Sequence, residues 1–254
     1  MTTENRTHET HHLIDRIIVG VDGTDPSIRA ADWAADLAHQ LRADVVLMEA
    51  LVRPYSEISP PIDRALQRAE RTHVTDEVDG DGSLADAEVE VAEGEPGDTL
   101  AFAAADAQLL VIGSKETEGV GRHGFFSLAH ALAHHTPCPM LVVPHDAQPL
   151  HATPTVLIGV DGSDGNRNAF EWTLRLAEQL GASVTAAFVT DPMYDTFDSA
   201  GSYGPEEVAA REEVRGAPDV TFTEAVGADP AKTLQELAAD LRADMLIVSA
   251  RSRR

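Results

Sequence analysis

RIIVGVDGTDPSIRAADWAADLAHQLRADVVLMEA, residues 16 to 50, returns as TVLIGVDGSDGNRNAFEWTLRLAEQLGASVTAAFV, residues 155 to 189. The two stretches align without a gap at an offset of 139 residues, which carries Asp22 onto Asp161, Trp33 onto Trp172 and Gln40 onto Gln179. A repeat of this length makes the chain two copies of one unit. Each copy opens with a continuous apolar run, Ile17 to Val21 and Val156 to Val160, as expected of a strand covered on both faces. A Gly-containing turn then leads into a helical pattern. In copy one Ala31, Ala34, Ala35 and Ala38 share a face with Trp33, Leu37 and Leu41; copy two repeats it with Phe170, Leu174, Ala177 and Leu180. Trp33 and Trp172 are expected on the inner side of these helices. A second apolar strand comes next, Val45 to Leu51 and Val184 to Val189. Strand, helix, strand in that order predicts right-handed crossovers and a parallel sheet.

The later halves agree. VEVAEGEPGDTLAFAAADAQLLVIGS and VTFTEAVGADPAKTLQELAADLRADMLIVSA both read strand, Gly, acidic residue, Pro, helix, apolar strand. Pro96 and Pro230 fall where a first-turn proline costs nothing, because its missing N–H would be unpaired there anyway. Between the second and third strands, Ser56 to Val78 and Gly201 to Val214 carry helix-like segments. Copy one continues into a helix over Leu128 to His135 and a fifth strand, Met140 to Val143, closed by Pro144. Copy two reaches its fourth strand at IVSARSRR and shows no loop, last helix or fifth strand after it. The expected organisation is a polar tail over 1–12, domain 1 over 13–144, a linker over 145–154 and domain 2 over 155–254.

Composition narrows the partners. The chain has 254 residues, 43 acidic against 19 Lys plus Arg, a formal charge of -24 and a pI near 4.6. Such a balance disfavours nucleic acid and anionic lipid as partners. The only lysines are Lys115 and Lys232. An acidic, lysine-poor surface fits a salt-rich cytoplasm, and a GC-rich genome also replaces Lys with Arg. The single Cys138 rules out an internal disulfide and agrees with a reducing cytoplasm; within PCPMLVV it reads as an inert buried thiol. No run approaches the roughly 20 apolar residues of a membrane span, and MTTENRTHETHH lacks the apolar centre of a signal peptide. A cytoplasmic protein is expected.

GVDGS, the Gly-acidic-Pro turn, VIGS and PCPMLVV, in that order and largely repeated, resemble the universal stress protein family in a tandem form, over nearly everything from Leu13 to Ala250. The resemblance implies two doubly wound α/β parallel-sheet domains of the Rossmann-like, adenine nucleotide alpha hydrolase-like kind. It also implies a five-stranded sheet per complete domain, cytoplasmic location and homodimers through the fifth strand, here Met140 to Val143. In one subgroup it implies ATP or AMP binding, with Mg as a possible companion in domain 1. On that pattern Asp22 and Asp161 match the residue that contacts adenine or ribose, and Ala50 and Val189 the apolar position against which the base lies. Gly113, Ser114, Gly119 and Ser127 match the loop that would hold phosphate. Plain structural roles compete: an Asp after a strand caps the turn beyond it, and an apolar strand residue is core. In copy two the first loop glycine is replaced by Ser249.

GSKETEGVGRHGFFS, residues 113 to 127, keeps the subgroup's spacing but puts Glu116 and Phe126 on two of its glycine positions. Phosphates bind such loops through inward-pointing N–H groups, which glycine allows to come close. Phe126 blocks that approach, while Ser127 remains available to cap a helix. A carboxylate about 4 Å from a phosphate charge repels it by about 1 to 4 kcal/mol. Lys115, Arg122 and His123 oppose that repulsion, and a divalent metal could bridge Glu116 to a phosphate. Two functions stay open: a stress-response regulator or interaction module with a degenerate loop and no catalytic site, or an ATP or AMP sensor, even a slow ATPase, using Asp22, Gly113, Ser114 and Ser127. Other chemistry has little support. His130 and His134 have an i, i+4 spacing that can ligate zinc, with His135 beside them, but no third ligand is obvious. Thr24 and Ser163 do not occupy the central position of an esterase elbow. Neither lysine lies near Asp22 or Asp161, as receiver-type phosphorylation would need. The stretch 191–207 reads as a variable loop.

Overall fold

A computed structural model describes residues 12–52, 84, 87–114, 125–192 and 204–250, with the side chains of 125–127 left aside. The segment 56–78, the tail over 1–11 and the loop residues 115–124 lie outside the described residues.

The first half runs β1 (Arg16–Val21), α1 (Asp25–Leu41), β2 (Asp44–Leu51), β3 (Glu88–Glu93), α2 (Pro96–Ala103), β4 (Leu109–Ser114), α3 (Phe125–His135) and β5 (Met140–Pro144). The second runs β6 (Thr155–Gly159), α4 (Asp164–Leu180), β7 (Ser183–Thr190), α5 (Pro205–Arg215), β8 (Val220–Val226), α6 (Pro230–Leu241) and β9 (Met245–Ile247). The strands form two sheets, one of five strands ordered β3-β2-β1-β4-β5 and one of four ordered β8-β7-β6-β9. Every pairing is parallel, with Val19 opposite Leu47 on one side and Val111 on the other. Among the described residues no helix is long and apolar enough to cross a membrane.

The period of two within β1 explains its unbroken apolar run. Ile17, Val19 and Val21 face α1, whereas Ile18 packs with Val46, Met48, Leu100 and Leu132 beneath α2 and α3. The α1 face also reaches the other half of the molecule. Trp33, Ala34 and Leu37 belong to the same buried cluster as Phe170 and Leu176 of α4 and Ile158 of β6. Gln179 Oε1 accepts from the Leu13 N–H at 3.3 Å, and Gln40 Nε2 donates to the His151 carbonyl at 3.2 Å. Trp33 is buried, but its repeat partner Trp172 is only half-buried at the edge of that cluster.

The copies solve their shared turns differently. After α1 the chain enters the left-handed region at Arg42 (φ 59), while the matching residue after α4 is Gly181 (φ 62), where glycine takes the same turn without a Cβ penalty. At the other end Ser163 Oγ caps α4 by accepting from the Asn166 N–H. Thr24 makes no such cap; its hydroxyl is turned to Asp22, donating to Oδ1 at 2.6 Å.

Candidate functional site

In open parallel sheets, ligands sit beyond the carboxyl ends of the strands where the strand order reverses. Sheet one reverses between β1 and β4, and there the chain leaves a cleft of about 510 Å³. That is within the range of small-molecule sites, roughly 300 to 1,000 Å³. Its floor is the ends of three strands: Gly20 and Val21 from β1 with Asp22 just beyond it, Met48 and Ala50 from β2, Ile112 and Gly113 from β4. Thr24, Pro26 and Ser27 at the start of α1 form one wall, Glu95 to Asp98 and Leu100 at the start of α2 another, and Leu128 and Ala131 of α3 the third. The lining is mostly apolar.

Three expected residues, Asp22, Ala50 and Gly113, therefore come together. Ser114 ends β4 opposite Pro144 and is not among the lining residues. Gly119, Glu116, Lys115, Arg122 and His123 lie outside the described residues. Ser127 falls within the first turn of α3, which begins at Phe125, so it sits inside the helix and not at the capping position before it. Asp161 and Val189 occupy the matching ends in the second half, on the turn after β6 and on β7 opposite Ala225.

Of the two roles weighed for Asp22, the turn-capping one is visible in its hydrogen bonds. Its Oδ1 accepts from the Thr24 N–H at 3.1 Å and from the Thr24 hydroxyl, an Asx-type turn that shapes the approach to α1. Its own N–H donates to Ser27 Oγ at 3.2 Å, and Ser27 Oγ donates to the Thr24 carbonyl at 2.9 Å. The carboxylate is nonetheless exposed at the cleft rim. Gly113 has a packing reason to be glycine. A Cβ there would lie 2.2 Å from the Pro26 carbonyl oxygen and 2.9 Å from the Ser27 nitrogen, so the end of β4 lies directly against the first turn of α1. Gly20 is small for a related reason: Leu100 Cδ1 would be 2.9 Å from its Cβ, and in domain 2 Leu234 Cδ1 would be 2.8 Å from that of Gly159.

Domain 2 uses the corresponding place differently. Gly162, at φ +70, has the Glu206 carbonyl oxygen 2.3 Å from where its Cβ would be, so α5 presses on the turn that holds Asp161. Asp161 Oδ1 accepts from the Ser163 N–H at 3.0 Å. Asn166, 1% exposed where domain 1 has Ser27, donates from Nδ2 to the Gly159 carbonyl at 2.8 Å; its Oδ1 has no hydrogen-bond partner.

On α5, burial pushes the Glu213 carboxyl above its ordinary range; Arg167 pulls it down, and Asp161 and Glu171 push it up again. Glu213 Oε1 lacks a hydrogen-bond partner. A raised native value means the protonated form is favoured by folding, so this group's contribution is present below the unfolded carboxylate range and is lost as pH rises through the native value. Glu213→Gln is expected to raise the melting temperature at pH 7 and to give no gain at pH 4, read by thermal denaturation at both; an equal gain at both would show that the charge plays no part.

His130 and His134 stand edge to face with ring centroids 4.8 Å apart, both exposed. No group of three or more potential metal ligands occurs among the described residues. Burial raises the Cys138 thiol above its ordinary value, more than the Thr136 hydroxyl and backbone contacts lower it, which makes it a poor nucleophile.

Sequence reasoning missed Ser27, Glu95, Asp98 and Leu100 as cleft residues. The GEPGD turn was legible as a turn, but nothing in the chain order places it across from Asp22.

The sequence pattern of the universal stress protein family matches residues 14–144 and again residues 153–254. Universal stress protein Rv2624c of Mycobacterium tuberculosis is 29% identical over 176 residues, which cover 67% of this chain and 63% of that protein. The chain thus matches a little under two thirds of that relative's length. Among solved structures it is similar to a universal stress protein from Archaeoglobus fulgidus, with a TM-score of 0.67 and 17% identity, over 92% of this chain and 86% of the other. It also resembles, over 52% of its length and 97% of the other chain, a universal stress protein solved in complex with cAMP, at 22% identity and a TM-score of 0.40. Two matched segments, two parallel sheets and a cleft at the first sheet's reversal point agree on one conclusion: the chain belongs to the universal stress protein family, in its tandem form.

Proposed function

We propose that this protein is a stress-response binding module whose first domain takes a nucleoside-sized ligand of the adenine type, and that it works by binding and not by catalysis. The observation that carries the proposal is the convergence of Asp22, Ala50 and Gly113 on one cleft at the reversal point of sheet one. Val21, Met48, Ile112 and Leu128 supply an apolar slot for a flat base, and the Asp22 carboxylate supplies a strong acceptor for an amino or hydroxyl group. The family resemblance assigns Asp22 and Ala50 to adenine or ribose, which is the chemistry these side chains offer. ATP or AMP with Mg remains the ligand set that the resemblance names. The phosphate part is the weak element, because Glu116 and Phe126 stand where that loop has glycine.

Equilibrium dialysis with labelled adenosine and AMP tests the proposal. Micromolar binding is expected, weakened at least about tenfold by Asp22→Ala, since a hydrogen bond to a charged group is worth about 1.5 to 3 kcal/mol. Absence of binding at millimolar ligand would reject the proposal. Binding that is indifferent to Asp22→Ala would place the ligand elsewhere.

A further inference from the structure

Outside the cleft, α3 carries a second arrangement of side chains with chemistry of their own. His130 and His134 stand one turn apart on its exposed side, away from Leu132, which is 1% exposed and packs in the core. Neither imidazole hydrogen-bonds or ion-pairs with another described residue. The two rings meet edge to face, with centroids 4.8 Å apart and an interplanar angle of 84°. That separation is the one a shared metal ion requires. With a metal–nitrogen bond of about 2.0 to 2.1 Å, each ring centre lies about 3.2 Å from the ion, and two rings held at angles between about 90° and the tetrahedral value lie about 4.5 to 5.2 Å apart. Rotation about the side chains' own bonds, open to exposed residues, turns one nitrogen of each ring to the ion. No lysine, arginine or carboxylate occurs in 125–135, so nothing along the helix itself repels a cation or competes for the rings.

We infer that His130 and His134 form a two-imidazole site for one late first-row divalent cation, of the Cu(II), Ni(II) or Zn(II) class, with water completing the coordination. Imidazole suits these ions, and affinity for Cu(II) exceeds that for Ni(II) and Zn(II). Mg(II) and Ca(II) take oxygen ligands and do not suit it. Among the described residues no third protein ligand joins the pair, which makes the site open and the ion exchangeable. The formal charge of -24 draws cations toward the surface of the chain. An ion bridging positions i and i+4 clamps one turn of the helix that supplies Leu128 and Ala131 to the cleft wall, so binding stabilises α3. The site stands whatever the cleft itself binds.

Cu(II) binding to the full chain, followed by isothermal titration and by electron paramagnetic resonance, tests the inference. The reference is the double variant His130→Ala, His134→Ala, because the other histidines, of 11 in the chain, give a background that both proteins share. The parent is expected to take one more Cu(II) than the double variant and to show a two-imidazole component in its spectrum that the variant lacks. Its melting temperature is expected to rise from EDTA to Cu(II) by more than that of the variant. His130→Ala and His134→Ala should each weaken binding of that ion at least about tenfold, the least that losing even an outer-shell partner costs, whereas His135→Ala should keep it. These substitutions fall at exposed helix positions, where alanine is a good helix former, and thermal denaturation in EDTA checks that each variant is folded. Equal Cu(II) stoichiometry and equal spectra in parent and double variant would overturn the inference. So would a site lost with only one of the two histidines, or lost equally with His135→Ala.

Discussion

Gly113→Ala is expected to lower the stability of the first domain by about 3 kcal/mol, the upper end of the cost of overpacking. The new methyl group would meet backbone and not a side chain: the Pro26 carbonyl at 2.2 and 2.5 Å and the Ser27 nitrogen at 2.9 Å. A side chain can rotate away, whereas the first turn of α1 can yield only by moving the helix off the sheet. Gly97→Ala is the matched control. Its Cβ would find only Leu128 Cδ1 at 3.8 Å, ordinary contact, and a helical Gly→Ala change gains about 1 kcal/mol. Urea denaturation of the two variants should therefore shift the midpoint in opposite directions with similar slopes. A Gly113→Ala protein as stable as the parent would show that the end of β4 has room to retreat.

The second domain lacks that glycine, and its sheet differs at the same place. Ser249 stands at the matching position, and β9 ends at Ile247, whereas β4 continues to Ser114. The Gly159 carbonyl is then taken by the Asn166 side chain. In sheet one Gly113 and Ser114 pair with Val143 and Pro144 of β5, beyond the point where β1 stops pairing with β4, whereas β9 is an edge strand and has no such neighbour among the described residues.

Leu100→Ala is expected to cost about 3 kcal/mol, within the 2 to 5 kcal/mol typical of Leu→Ala in a core. Leu100 is 3% exposed and fills the notch left by Gly20, so its removal opens a void that backbone on one side and Ile112 on the other cannot close. The same side chain lines the cleft, so the variant should also bind an adenine ligand more weakly, even where denaturation shows it folded. A loss of affinity without a loss of stability would mean that the leucine serves the ligand alone. A loss of stability with affinity intact would mean that the cleft is shaped by other residues.

Much of this was legible in the chain itself. The unbroken run of β1 gave away a strand buried on both faces, and Pro96 and Pro230 marked helix starts that are there at α2 and α6. The i, i+3, i+4 pattern of Ala31, Ala34, Ala35 and Ala38 placed the buried face of α1, and all four are buried. Pairing Asp22 with Ala50 and Gly113 was legible only through the family resemblance, because no local pattern says which strand ends become neighbours. The GEPGD turn shows the limit: its carboxylates belong to the cleft rim only because β3 lies two strands from β1 while α2 crosses back over it.

The sequence by itself determined the repeat, the order of strands and helices, the parallel sheets and the strand count of each sheet, because periodicity and turn chemistry are local and each copy corroborates the other. The tertiary structure alone decided that α1 and α4 share one core, that Gly113 is small to admit a helix, and that three carboxylates meet at one cleft. These depend on contacts between residues far apart in the chain, whose distances are set by packing and not by any signal carried in a single segment.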